Sequence, residues 1–386
     1  MEINIKTNEQ ATLEYLLSID EELKNKRDKK RYRLVCPREK WIIYENKKYR
    51  IYRRYYFDNE LKKHVFLLDE HLKYKNKSHI SEDDKNHIYE LISKQKMTFN
   101  QVIKSLKLDI SKSTISRLIK KHKLVYEANF TEPTNNFKNV YIDVDDSFGT
   151  VKVGDKGYKF KFKLLHFYQD YKDVDNTGKK RFINDLKVIL INKCYMNSFL
   201  NFSSTMKEIK KILTKYYGDI SKYNLFVSGD GARYIKTIAD NLNAKMSIDK
   251  WHLIKRIYTI FNASNISKYD WFYHDKKEFK SIKKQYRSKI IKLIKESKIP
   301  QAIALLTEFK NKFDFFKTKD INNLILYLKR NKSAIEIWNN KNYFGTYTET
   351  YVQQLVKSYF GNYGKCYSLN NFMNLLSANC IVRYLE

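Results

Sequence analysis

Residues 225–236, LFVSGDGARYIK, set one aspartate, Asp230, between two glycines where a short apolar run gives way to a helix-like pattern. The chain has only 10 glycines in 386 residues, so two of them flanking a single acid call for a physical reason. Leu225, Phe226 and Val227 read as a buried strand whose end releases a carboxylate. Gly229 and Gly231 would remove side chains that shield it and permit close approach of a phosphate or a metal ion. A local alternative exists: Asp230 caps the helix that starts near Gly231 by accepting its unpaired N–H groups.

Working outward, VYIDVDDS (140–147) alternates with period two, with Tyr141, Asp143 and Asp145 on one face and Val140, Ile142 and Val144 on the other. A buried charge at Asp145 would need a cation or a partner to neutralise it; the alternative is an edge strand with both acids in water. GYKFKFKLLHFYQDY (157–171) alternates as a neighbouring strand, and RFINDLKVILI (181–191) reads equally as strand or helix. STMKEIKKILTKYYG (204–218) is an amphipathic helix, ARYIKTIADNL (232–242) another, and AKMSIDK (244–250) a short strand. Strands first in sequence and then alternating with helices make an α/β sheet covered by helices. From about 253 to 340 the pattern is helical throughout, with Pro300 at a helix start where its missing N–H does no harm.

Toward the N-terminus, residues 1–23 read as an amphipathic helix, and KKYRIYRRYYFDN (47–59) with KKHVFLLDE (62–70) as a small β unit. Three short helices follow between 81 and 124. The polar face of the third offers Lys112, Ser113, Thr114, Ser116, Arg117, Lys120 and Lys121, side chains of the kind that meet phosphates and base edges in a major groove. These helices are read as a helix-turn-helix, the alternative being an ordinary helical subdomain. EANFTEPTNNFKN (127–139) is the linker that separates the two periodicities. The expected organisation is an N-terminal helix and β unit (1–80), the helix-turn-helix (81–126), the linker (127–139), a catalytic core (140–255), an α-helical insertion (256–340) and a C-terminal helix region (341–386).

The formal charge is +32, from 75 Lys and Arg against 43 Asp and Glu, which points to a polyanionic partner, nucleic acid first; AT-rich codon bias is the competing source of lysine. The four cysteines form no C-x-x-C pair, so neither a zinc knuckle nor a disulfide framework is indicated. No apolar stretch is long enough to cross a bilayer. A cytoplasmic, nucleoid-associated protein with no membrane partner is expected.

A third acid completes a constellation. Glu349 lies on the helical face of Val352, Gln353 and Val356, so a helix docked through the valines would hold its carboxylate toward the domain. Thr346-x-x-Glu349 also has capping-box spacing. Three carboxylates suit phosphodiester chemistry, because two Mg²⁺ ions held by acids, waters and phosphate oxygens neutralise both the attacking and the leaving oxygen. In that arrangement Asp145 bridges the ions, with Asp230 and Glu349 holding one each. SIDKWHLIKRI (247–257) adds an Asp249-x-x-His252 pair on a first helical turn, able to order such a site or to be no more than a cap and a packed histidine.

Asp145 on a first strand, SGDGARYIK after a later one, DKWHLIK after the next, a helical insertion, and GTYTETYVQQLV carrying Glu349 resemble the Mutator-like DDE transposases of bacterial insertion sequences. The nearest likeness is to the ISLre-type group, catalogued as an uncharacterised protein family, whose pattern is similar also in RRYY and LLDE of the N-terminal part. Tyr234 stands where that group usually has Trp, and Trp251 where it usually has Phe; the stretch after Glu349 diverges from its pattern. The resemblance implies an RNase H-like catalytic domain with an all-α insertion, preceded by a small β unit and a helix-turn-helix. It implies Asp145, Asp230 and Glu349 as the catalytic, Mg²⁺- or Mn²⁺-binding triad and Asp249 with His252 as an auxiliary motif. The implied activity is strand cleavage and strand transfer on double-stranded DNA, element ends and target alike, by a homo-oligomer. The alternatives are a structure-selective nuclease of the same fold and an inactive or repurposed DNA-binding protein.

Overall fold

The computed structural model describes residues 2–45, 47–75, 78–107, 109–121, 126–128, 130, 132–153, 156–173, 180–192, 201–262, 276–340, 343, 345–360 and 367–385. The chain divides into two units, one of Met1–Leu124 with Tyr367–Asn379 and one of Val125–Cys366 with Cys380–Glu386.

In the first unit, α1 (Glu2–Lys26) precedes a three-stranded antiparallel sheet of β1 (Tyr32–Tyr44), β2 (Lys47–Asp58) and β3 (Lys63–Val65). Leu16 and Ile19 of α1 pack with Ile42, Tyr49 and Ile51 of the sheet and with Leu68 of α2 (Leu67–His71). Sequence reading missed β1, whose tyrosine, arginine and lysine content hides its alternation, and misread LLDEH. That segment is the helix α2, which brings Asp69 to a buried position 2.8 Å from Lys40 Nζ and 3.0 Å from Arg53 Nε. Three helices follow, α3 (Glu82–Ser93), α4 (Phe99–Ser105) and α5 (Lys112–Lys121). Ser81 caps α3 through Asp84 N, and Thr98 with Gln101 forms a full capping box on α4.

The second unit is built on a mixed six-stranded sheet, so the expected mixture of helix and strand is what the chain forms. β4 (Asn139–Val153) and β5 (Lys156–Tyr168) form a long antiparallel pair; β6 (Asp170–Asp173) pairs with β7 (Lys180–Ile183) as a separate ribbon; β8 (Leu186–Asn192) returns antiparallel to β5. RFINDLKVILI is therefore strand on both sides of Asn184–Asp185, the end of β7 and most of β8, and the run Val188–Ile191 reflects burial of β8 on both faces. After α6 (Phe202–Tyr217), β9 (Asn224–Gly229) pairs parallel to β4; after α7 (Arg233–Asn241), β10 (Lys245–Ile248) pairs parallel to β9. β4 is therefore interior, which removes the edge-strand reading of Asp143 and Asp145.

The helices α8 (Lys250–Phe261), α9 (Lys276–Lys295), α10 (Ile299–Lys312), α11 (Thr318–Arg330) and α12 (Lys332–Glu336) build a second core around Phe279, Phe309, Phe313 and Phe316. Pro300 occupies the first turn of α10, as expected. α13 (Thr348–Val352) continues through a π-helical turn (Gln353–Lys357) into α14 (Ser358–Phe360). α15 (Leu369–Ser377) belongs to the first unit, where Asn371 donates to Ser116 Oγ and Asn374 to Ile119 O. β11 (Ile381–Leu385) then adds a parallel strand beside β8, the sixth in the order β10-β9-β4-β5-β8-β11.

Both glycines of the opening motif are explained by packing. A Cβ at Gly229 would stand 2.7 Å from Val144 O and would strike Ile235 of α7, so the residue lets β4, β9 and α7 close on one another. Gly231 has φ +83° and leaves no room beside Tyr327 and Ile248. These contacts replace the expectation that the glycines clear space for a phosphate or metal. Gly229→Ala should lower stability by about 1–3 kcal/mol through overpacking against backbone. Gly218→Ala, whose Cβ meets nothing, should be less harmful and limited to its positive φ; thermal unfolding of the two variants side by side checks the order.

Candidate active site

Three acids gather beside the ends of β9 and β10. Asp145 lies on β4 two residues beyond its last register pair with β9, Asp143↔Ser228; Asp230 follows β9 directly; Asp249 follows β10 directly and caps α8 through Trp251 N at 2.8 Å. β9 and β10 run parallel to each other and to the first half of β4, so their carboxyl ends open beside Asp145, at the kind of edge where open α/β sheets place polar ligands.

Ligand atoms of Asp145, His252 and Glu349 all lie within 4.8 Å of one another. His252 Nδ1 sits 2.9 Å from Asp249 Oδ2, which leaves Nε2 as the nitrogen able to meet the two acids. Asp230 stays outside this tight group. It is exposed, its Oδ1 accepts from Ala232 N at 2.9 Å, and its carbonyl oxygen accepts from Tyr327 Oη at 2.8 Å. The capping alternative is therefore realised in part, as a turn ahead of α7, whose own cap residue Ala232 makes no side-chain bond.

Glu349 makes no capping box: α13 starts from Tyr347 without a side-chain cap, and Glu349 Oε1 accepts instead from Lys357 Nζ at 2.9 Å. Val352 and Val356 dock α13 and its π-helical continuation, each fully buried, whereas Gln353 faces water.

Burial raises the Asp145 carboxyl to about 7; the charge of His252 opposes the shift, and those of Asp230 and Glu349 add to it. His252 is pushed the other way by burial, but Asp249 outweighs this and holds the imidazole above its usual value. His252 and Lys357 are the basic groups that stand against this knot of acids.

A second buried constellation lies underneath. Asp143, wholly buried, accepts from the backbone N–H of Tyr347 at 3.0 Å and so ties β4 to the start of the helix that carries Glu349. His166 of β5 stands 3.5 Å from Asp143 and 2.8 Å from Asp185, and its ring packs on Tyr351 at 4.3 Å. Burial disfavours the charged ring, yet Asp143 and Asp185 together raise it above its usual value. Sequence reading named Asp143 but missed His166, Asp185 and Tyr347. The one available signal was a lone histidine inside the apolar run KLLHFY.

Asp146, next to Asp145, plays a separate part. It binds Lys163 at 2.5 Å and Lys161 at 2.9 Å, and Lys163 lies 3.6 Å from the centroid of the Tyr234 ring. In the first unit, Lys112, Ser113, Arg117, Lys120 and Lys121 of α5 are exposed, Thr114 is half-buried, and Ser116 is engaged by Asn371. Ser113 and Thr114 also bond to Ser111, and Arg117 to Thr114, within α5 and the residue before it, whereas Ser116 is engaged from α15.

The family model that matches this sequence covers residues 3–349 and is described as an uncharacterised protein family, UPF0236. The chain belongs to UPF0236. No curated protein matches it significantly. For a UPF0236 chain whose match ends on Glu349 itself, all four of Asp145, Asp230, His252 and Glu349 fall within the matched span.

The raised Asp145 value fixes the sign of a pH effect. An aspartate that titrates near 7 when folded and about 3.9 when unfolded stabilises the fold below the unfolded value and loses that contribution as pH rises through 7. Asp145→Asn should therefore stabilise the metal-free protein at pH 8, on the order of 2 kcal/mol, and do little at pH 4. Parallel melting-temperature profiles for wild type and variant would contradict the burial described above.

Proposed function

We propose that the chain is a metal-dependent polynucleotidyl transferase acting on double-stranded DNA, a DDE-type transposase with an RNase H-like core. The observation that carries this reading is the meeting of Asp145, His252 and Glu349, drawn from three separate segments of the chain, beside the carboxyl ends of the parallel strands β9 and β10 with Asp230 alongside. The sheet supports it: an antiparallel meander β4-β5-β8 extended on the β4 side by the parallel strands β9 and β10 is the order expected of an RNase H-like fold. α3, α4 and α5 support the helix-turn-helix reading, with the exposed cations of α5 as phosphate contacts. The charge of +32 supports a polyanionic substrate, and no helix among the described residues is long and apolar enough to cross a membrane.

The donor set fits a divalent cation: a buried carboxylate with a raised affinity for protons, a second carboxylate and an imidazole whose other nitrogen is fixed by an acid. Bound there, the cation would neutralise charge on the phosphodiester and favour ionisation of the attacking hydroxyl. Asp145, Glu349 and His252 would hold it, Asp230 would share a second, and Asp249 would orient His252. Mn²⁺ accepts a mixed oxygen and nitrogen set more readily than Mg²⁺ does. Asp143 and His166 would keep the Glu349 helix seated while DNA binds.

Purified protein should cleave and join DNA carrying the element's ends in Mn²⁺, and less well in Mg²⁺. Asp230→Asn should lose at least about a hundredfold in rate with DNA binding retained. DNA binding without any metal-dependent chemistry in the wild type would leave only the repurposed binding protein. Affinity for duplex should fall steeply as salt rises; a flat salt dependence would remove the phosphate-contact argument.

A further inference from the structure

A cleft of ≈ 680 Å³ opens beside Asp230 and His252 and runs between α8 and α11. Leu324 and Tyr327 line it, with Lys255 and Arg256 on the α8 side and Asn323 and Asp320 on the α11 side. The cleft lies within the range that holds a small molecule, and a nucleotide fits it comfortably. Its residue types are those that bind a single nucleotide: cations for a phosphate, a flat apolar surface for a base, an amide for the base edge.

The exposed face of α8 continues the same chemistry. Trp251 is 44% exposed and Tyr258 45%, an unfavourable use of two large rings unless they meet something. Trp251, Lys255 and Tyr258 fall at i, i+4 and i+7 and make one stripe. Cations already cover these rings: Lys255 Nζ is 4.1 Å from the Trp251 centroid, Arg287 4.5 Å from that of Tyr258, and Arg256 4.3 Å from that of Tyr327. A base stacked among ring and guanidinium planes would find its phosphate partners in place.

We propose that the cleft between α8 and α11 receives an unpaired nucleotide adjoining the phosphate held at Asp145 and Glu349, so that the preferred substrate is DNA locally opened at the reacting position. Duplex DNA alone keeps its bases stacked and cannot fill a cleft beside the acids. The inference rests on the nucleic-acid reading above and extends it to the form of the substrate.

The test is binding of full-length protein to two labelled duplexes of equal length, one fully paired and one with a central unpaired 2-aminopurine, in Ca²⁺ so that binding is read apart from chemistry. The unpaired duplex should bind roughly tenfold more tightly, with quenching of the 2-aminopurine. Arg256→Ala with Asn323→Ala should erase that preference while leaving the paired duplex bound and the melting temperature within a few degrees of wild type. Trp251→Ala, a surface change, should weaken it as well. Equal affinity for the two duplexes, or a preference unaffected by these variants, overturns the inference while leaving strand transfer open. A preference that persists in a protein with no Mn²⁺-dependent cleavage supports the inference and refutes the transferase reading.

Discussion

The second unit is organised around two carboxylates that its central strand drives out of water. Asp143 and Asp145 lie on one face of β4, Asp143 where β4 is paired with both β5 and β9 and Asp145 where it is paired with β5 alone, and both are buried. An uncompensated charge in that position costs several kcal/mol, and most of the surrounding architecture compensates it. Asp143 receives a backbone N–H from Tyr347 and the imidazole of His166, itself fixed by Asp185. Asp145 receives His252, which Asp249 holds in place. Three separate segments, β5 with the residues before β8, the start of α8, and the start of α13, are bound to β4 by charge as well as by packing.

This accounts for how a helix more than two hundred residues downstream comes to bear on the first strand of the sheet. Tyr347 N is fixed by Asp143, Val352 and Val356 are fully buried, and Tyr351 lies against the His166 ring. Glu349 stands between these anchors, so its carboxylate is directed by groups that do not themselves reach the site. The close approach of β4, β9 and α7 at Gly229 and of Tyr327 at Gly231 sets Asp230 in the same way, by removing volume.

Elements in which polar or charged residues alternate with apolar ones at strand or helix period were legible in the sequence, even where, as in β4 and β5, both faces are buried. β4, β5, α6, α7 and the helices α9 to α11 follow from period alone. β8 was ambiguous because its run Val188–Ile191 is apolar throughout and has no alternation to read, and β1 because exposed Leu34, Val35 and Trp41 sit among its charges. LLDEH was misread because five residues are too few to show a helical period, and β11 because its strand partner, β8, lies nearly two hundred residues upstream. Of the site, Asp145, Asp230, Asp249, His252 and Glu349 were legible as acids and a histidine at element ends. Which of them touch was not: local spacing favoured a capping box for Glu349, and tertiary docking gave it Lys357 instead. His166 carried too weak a signal, since one histidine in an apolar strand is usually a packed one.

The balance of charge adds a final constraint. A net charge of +32 would favour a polyanionic partner, but at Asp145, Asp230 and Glu349 a phosphate would meet repulsion. Lys161 and Lys163 do not relieve it, because Asp146 takes both. His252 and Lys357 relieve it in part, each already committed to a carboxylate. On the proposed reading, a nucleic acid would halt at the acid cluster unless further positive charge entered with it, and a divalent cation is the smallest group that would bring two charges and leave coordination positions for phosphate oxygens. The same carboxylates that make β4 expensive to bury would then make binding at this point conditional on the ion.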